Sequence, residues 1–114
     1  MFIDYRSKEI SMRIDIALWV SISLLSALTT VKAQDVAKGE KLYATCIQCH
    51  GDKGQGLAEK KAPHIAGQHE WYILSSLKAF KAGERKNPEM LPYIKGLSEQ
   101  DFADLAAYVS KIAP

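Results

Sequence analysis

Apolar positions recur at helical spacing in three stretches of the chain. Asp35 is placed as an N-cap, and Val36, Gly39 and Tyr43 then fall on one face of a first helix that runs into Cys46. From about His69 to Ala82, Ile73, Leu77 and Phe80 make one stripe with Trp71 and Leu74 beside it, and Gly83 is positioned to close the helix. Ser98 caps a last helix with Asp101 near its positive end, and Phe102, Leu105, Ala106, Val109 and Ile112 give it a continuous apolar face. The stretches between follow no period. Gly51 to Gly56 is glycine-rich, Pro63 bars a helix from Ala62 to Gly67, and Arg85 to Lys95 carries Pro88 and Pro92, so each is expected to wrap as a loop. Nothing alternates as a strand does. The expected class is all-α, with three main helices joined by long loops.

The segment ahead of these helices follows a different rule. Ile16 to Leu28 is thirteen residues without a charge, followed by Val31 and Ala33, both small enough for the −3 and −1 positions of a secretory cleavage site. A membrane-spanning helix needs about 20 apolar residues, so an uncleaved anchor is the second choice. Residues 1–33 are therefore expected to be a signal peptide and residues 34–114 the folded domain. Asp4 and Glu9 sit in a region that such signals keep basic, which makes Met12 a tidier start than Met1. Export would place the domain in the periplasm, touching a membrane only if the signal were retained.

Composition changes the picture mainly by what it excludes. With 47% hydrophobic and 25% charged residues the chain is an ordinary globular one, and a net charge of +2 offers no basic patch for nucleic acid. A domain of 81 residues rarely holds itself together by core burial alone. Its two cysteines would close almost no loop as a disulfide, so that staple constrains little. A large apolar cofactor at the centre would supply the missing core and organise loops of this length.

The cysteines point to such a group. They fall in Cys46-Ile47-Gln48-Cys49-His50, the pattern C-x-x-C-H. Two thiols three residues apart share one face of a helical turn, so both reach one planar object, and the next residue presents an imidazole to it. That is what two haem vinyl groups need to become thioethers while the iron gains a nitrogen ligand. Iron held this way needs a sixth ligand if it is to transfer electrons rather than bind gases. Met90, the single methionine of residues 34–114, sits between Pro88 and Pro92 and off any helical stripe, a poor place for core filling and a good one for a fixed sulfur.

Two rival readings use the same residues. Cys46, Cys49, His64 and His69 fall at C-x2-C-x14-H-x4-H, inside the window of a Cys2His2 zinc site. Pro63 and Gly67 interrupt the segment that should put both histidines on one helix, so His64 is expected as a solvent-facing loop residue and His69 at a helix N-terminus. A thiol–disulfide redox pair would need the motif to follow a strand, and none is expected.

With these residues assembled, the chain resembles a class I c-type cytochrome, and within that class the monohaem domains related to cytochromes c4, c5 and c553. The likeness covers nearly all of residues 34–114. Cys46 to Gly51 matches the haem-binding segment, Ala62 to Gln68 is similar to the family's A-P-x-L-A-G-Q, and Ala79 to Asn87 resembles its A-F-x-x-G-x-R-x-N. Met90 to Tyr108 is similar to the family stretch that opens on a methionine and ends in D-L-A-A-Y. The resemblance implies one covalently attached haem c, with Cys46 and Cys49 as thioether anchors, His50 as proximal iron ligand and Met90 as distal ligand. It also implies that the carbonyl of Pro63 accepts the proximal imidazole N–H. Gly39 and Tyr43 should cross the last helix near Ala107 and Tyr108.

An iron with both axial positions filled by protein has no open site for a substrate. The expected role is therefore one-electron, outer-sphere transfer by a monomeric carrier rather than catalysis. The expected partners are redox proteins, an electron donor and an electron acceptor. The carrier could be a free shuttle or the dedicated haem subunit of a dehydrogenase or oxidoreductase complex. Lys53, Lys60, Lys61, Lys78, Lys81, Arg85, Lys86 and Lys95 are either ordinary solvated surface or a weak collar that steers acidic partners.

Overall fold

The computed structural model describes residues 32–114, so the signal segment expected over 1–33 lies almost wholly outside the described residues. Five α-helices follow in order: α1 (Val36–Tyr43), α2 (Ile47–His50), α3 (Glu70–Ala82), α4 (Leu91–Ile94) and α5 (Glu99–Val109), with a 3-10 turn at Ala58–Lys60 between α2 and α3. Among the described residues there is no strand, only an isolated antiparallel bridge between Leu57 and Ala62. None of their helices is long and apolar enough to cross a membrane. The all-α class and the three main helices, α1, α3 and α5, stand as expected.

The last helix carries the others. Ser98 and Asp101 form a reciprocal capping box at its start, the Ser98 hydroxyl accepting from the Asp101 amide at 3.1 Å and the Asp101 carboxylate from the Ser98 amide at 2.9 Å. Phe102, Leu105, Ala106 and Val109 are buried on one face, against Ile73 and Leu77 of α3, Ile94 of α4 and Tyr43 of α1. Asp104 and Ala107 are buried as well, so a second face of α5 is also covered. That face receives α1.

Glycine sets the α1–α5 approach. A Cβ built on Gly39 would stand 2.1 Å from the Asp104 carbonyl oxygen and 2.9 Å from Tyr108 Cβ, so only Gly admits α5 this closely. The approach meets Tyr108, as expected, and reaches Asp104 one turn nearer the start of α5 rather than Ala107. Asp104 supplies the polar anchor there. Its carboxylate accepts from the Asp35 amide and from the Gln100 side-chain amide, each at 2.8 Å, while Lys38 lies 3.7 Å away. The Tyr43 and Tyr108 rings pack at 5.5 Å between centroids.

Two expectations need correction. Trp71 is 67% exposed, not beside the apolar stripe of α3. At about 100° per residue it stands roughly 200° from Ile73, and so on the opposite side of the helix. The stretch Arg85 to Lys95 is not all loop, since turns over 88–90 lead into α4. Pro92 lies in the first turn of that helix, where its missing N–H leaves no bond unmade.

Candidate metal centre

Helix α1 delivers the Cys46–His50 segment in a fixed orientation. The Cys46 amide bonds the Tyr43 carbonyl at 2.8 Å, and the amides of Cys49 and His50 both return to the Cys46 carbonyl, closing the short helix α2. The Tyr43 hydroxyl donates to the Gly51 carbonyl at 2.7 Å, tying the far end of that helix back to α1. Burial pushes the Tyr43 hydroxyl up to about 12, so it remains a neutral donor throughout the physiological range. Burial likewise raises the Cys46 thiol above its ordinary value. A thiol–disulfide oxidoreductase needs the opposite shift, a thiolate made easy to form.

The imidazole is oriented from a second loop. His50 Nδ1 lies 2.9 Å from the Pro63 carbonyl oxygen. A carbonyl can only accept, so Nδ1 donates, and in the neutral ring the lone pair then belongs to Nε2. The loop that brings Pro63 here is held by its own backbone. The Leu57–Ala62 bridge folds it back, the amides of Ile65 and Ala66 both reach the Gly54 carbonyl, and the Gly56 amide bonds the His50 carbonyl at 2.7 Å. Gly56, at φ +79°, lets the Pro63–His64 peptide press against it, since a Cβ there would stand 2.6 Å from the His64 nitrogen. Sequence reading missed this role of Gly56, although a glycine so close after the C-x-x-C-H segment was visible.

The remaining wall comes from the segment between α3 and α4. Arg85 is pinned over the Phe80 ring at 4.4 Å and donates to the Ser76 hydroxyl at 3.0 Å. Two residues on, the Asn87 side chain accepts from the amides of Glu89 and Met90, both at 3.1 Å, and its carbonyl accepts from Leu91 at 3.0 Å. Asn87 thus caps the turn over 88–90 that leads into α4, with Pro88 opening that turn. The run Asn87-Pro88-Glu89-Met90 holds this signal, of which the sequence reading uses Pro88 and Met90 but not the capping role of Asn87.

These segments enclose one cavity of about 460 Å³, within the usual range of roughly 300–1,000 Å³ for cofactor sites. Cys46, Cys49, His50, Pro63 and Met90 all line it, and Ile65, Ile73, Leu77, Phe80, Leu105 and Val109 make much of the wall apolar. Two thiols, an imidazole with a free Nε2 and a thioether around an apolar hollow fit a haem. The zinc set is not gathered. His64 is turned to the Ala66 carbonyl at 2.9 Å, His69 stacks on Trp71, and the described residues hold no metal-binding group of three or more His, Cys, Asp or Glu. Of the eight candidate collar cations, Lys60, Lys61, Arg85 and Lys86 line the cavity, with Glu89 as the acidic residue among the lining. Lys78 is instead paired with Glu99, and Lys81 donates to the Leu97 carbonyl over the Phe102 ring.

A small all-helical domain whose loops close an apolar cavity around a C-x-x-C-H segment defines a c-type haem protein. The chain belongs to the cytochrome c family, whose model matches residues 36–113. It is 47% identical over 81 residues to cytochrome c-554(548) of Halomonas halodenitrificans, a match covering 68% of this chain and 96% of that protein. It is 41% identical over 93 residues to cytochrome c4 of Pseudomonas aeruginosa, covering 80% of this chain but 46% of the relative, so it spans about half the length of that protein. Among solved structures, thiosulfate dehydrogenase from Marichromatium purpuratum superposes with a TM-score of 0.67 at 28% identity, over 70% of this chain and 19% of that one. The cofactor of this chain is covalently bound haem c, and its role is electron transfer.

Proposed function

We propose that the domain is a periplasmic one-electron carrier in which His50 and Met90 would hold the haem iron and Cys46 and Cys49 would anchor the haem through thioethers. Residues 1–33 act as the export signal and residues 34–114 as the working domain. The bond from His50 Nδ1 to the Pro63 carbonyl carries this reading, because it leaves Nε2 as a lone pair in the cavity that Met90 also lines. When bound, haem c supplies an iron that alternates between ferric and ferrous states and so takes up and releases one electron. The residues do the rest. The Pro63 carbonyl fixes the imidazole plane and raises its basicity, and the apolar wall keeps water from the metal. The Met90 thioether favours the reduced state.

An absorption spectrum of the exported protein tests this, taken oxidised and reduced and followed by acid–organic extraction. Haem should remain with the protein, and the low-spin ferric form should show a weak sulfur-to-iron charge-transfer band. Met90→Ala should abolish that band and lower the potential while leaving the haem attached. A wild-type spectrum without the band would overturn the assignment of Met90.

A dedicated electron-accepting unit of an oxidoreductase is the second reading, and the likeness to thiosulfate dehydrogenase supports it. A free shuttle purifies alone and is reduced by more than one donor. A dedicated unit co-purifies with one dehydrogenase and is reduced by it alone.

A further inference from the structure

We propose that Asn87 is a positioning residue for Met90, setting how firmly the thioether is held in the cavity. The inference rests on the reading of Met90 as distal ligand. Met90 belongs to neither α3 nor the regular part of α4, so nothing in a long helix fixes its backbone. Its carbonyl accepts from the Tyr93 amide at 3.1 Å, but what fixes its amide is one side chain. Asn87 Oδ1 accepts from the Met90 amide and from the Glu89 amide before it, each at 3.1 Å, and the Asn87 carbonyl holds Leu91 immediately after. Bonds from one residue therefore bracket Met90 on both sides.

The cap is itself anchored. Pro88 restricts Asn87 to extended backbone, the geometry an N-cap needs, and its own ring is preset for the first position of a turn. Upstream, Arg85 is locked to α3 through Ser76 and the Phe80 ring, and its amide bonds the Ala79 carbonyl at 3.1 Å. Helix α3 thus transmits its position through Arg85 and Asn87 to the Met90 amide. Without the Asn87 oxygen two amides lose their partner, and the turn can open without disturbing the helical core. The consequence is specific. Loss of the cap frees the sulfur from its place and leaves the fold standing.

The test uses the ferric holoprotein with imidazole as an external ligand competing with Met90, followed by loss of the sulfur-to-iron band. Asn87→Ala and Asn87→Gln, which remove the acceptor or carry it out of reach, should each raise imidazole affinity about tenfold and speed its binding. Asn87→Ser, which keeps a capping oxygen, should stay close to wild type. All three should keep the wild-type helical signal at room temperature, so that the change in imidazole affinity is read on a folded protein. Unchanged imidazole affinity in both Asn87→Ala and Asn87→Gln would overturn the proposal, as would a rise that Asn87→Ser fails to reverse. A different outcome would mark failure of the underlying ligand reading: a wild type that lacks the band and binds imidazole as Met90→Ala does.

Discussion

The two sides of α5 are built on different principles. Toward α1, contact is backbone against backbone, with Gly39 under the Asp104 carbonyl and the buried carboxylate of Asp104 holding Asp35, Gln100 and Lys38. Toward the cavity, the wall is carried by loops whose shape depends on single turn residues: Gly56 under Pro63 and Asn87 above Met90. The first is a packing problem, in which every atom has a neighbour that cannot move. The second is a positioning problem, in which a few hydrogen bonds aim four side chains at one cavity. Mutations on the two sides should therefore fail differently. One set should unfold the protein, and the other should loosen ligands within a folded one.

Gly39→Ala offers the largest effect and the hardest test of that division. The atoms met by the new Cβ are the Asp104 carbonyl carbon and oxygen, at 2.7 and 2.1 Å, and Tyr108 Cβ, none of them the end of a flexible side chain. Helix α1 must move away from α5. Alanine gains up to about 1 kcal/mol in helix propensity, but the overlap and the loosened interface should outweigh it, for a net loss of about 2 kcal/mol. In a domain of this size that lowers Tm by about 10 °C, measurable by thermal melting of the helical signal. Below the transition the haem spectrum should match wild type. A sulfur-to-iron band weakened at room temperature would mean that the two sides of α5 are not separable.

The same division explains what was legible in the sequence. Period and capping residues specify helices, so Asp35, Ser98 with Asp101, and Gly83 marked the ends of the main helices. Phe102, Leu105, Ala106 and Val109 marked the face of α5 that is buried. The C-x-x-C-H motif and the lone loop methionine pointed to residues that line one cavity. Part of what escaped was tertiary. Asp104 is charged and reads as a solvent residue, yet it is 1% exposed because α1 covers it, with the Asp35 amide and Lys38 joining the local partner Gln100. Gly56 reads as loop punctuation because its neighbours, Ala62 to His64, meet it only once the loop folds back. Asn87 instead caps amides two and three residues on and was open to a local reading. Trp71 needed only helix geometry, since two residues before Ile73 it stands on the other side of α3 and is exposed.

The cations at the cavity give the next test, a smaller one, in solution kinetics rather than stability. Four basic residues and one acidic residue line the cavity, so a negatively charged redox partner should be drawn toward it. Raising ionic strength from about 0.01 M to 0.15 M shortens the Debye length from about 30 Å to 8 Å and should slow reduction by such a partner several-fold. Replacing Lys60, Lys61 and Lys86 by glutamine should slow reduction at low salt and flatten the salt response. Arg85 is left in place because it is tied to Ser76 and Phe80. A wild-type rate indifferent to salt would assign these side chains to solvation alone.

The smallest expected effect lies at the far side of α5 and concerns acid. Asp101 is held down to about 2, first by the bond to the Lys38 ammonium at 2.6 Å and then by the amide and hydroxyl of Ser98. A carboxyl depressed in the folded state favours folding above its unfolded value of about 3.9, and that contribution fades as pH falls through about 2. Lys38 is solvent-exposed, so screening keeps this contribution small at neutral pH. Asp101→Asn should therefore melt a few degrees below wild type at pH 6. The gap should narrow between pH 4 and pH 2, roughly the interval between the two protonation points, as wild type takes up its proton. The haem spectrum at neutral pH should not register the change, because Asp101 serves the α1–α5 side alone. A gap that stayed constant down to pH 2 would show that the capping geometry, not the charge, is what Asp101 contributes.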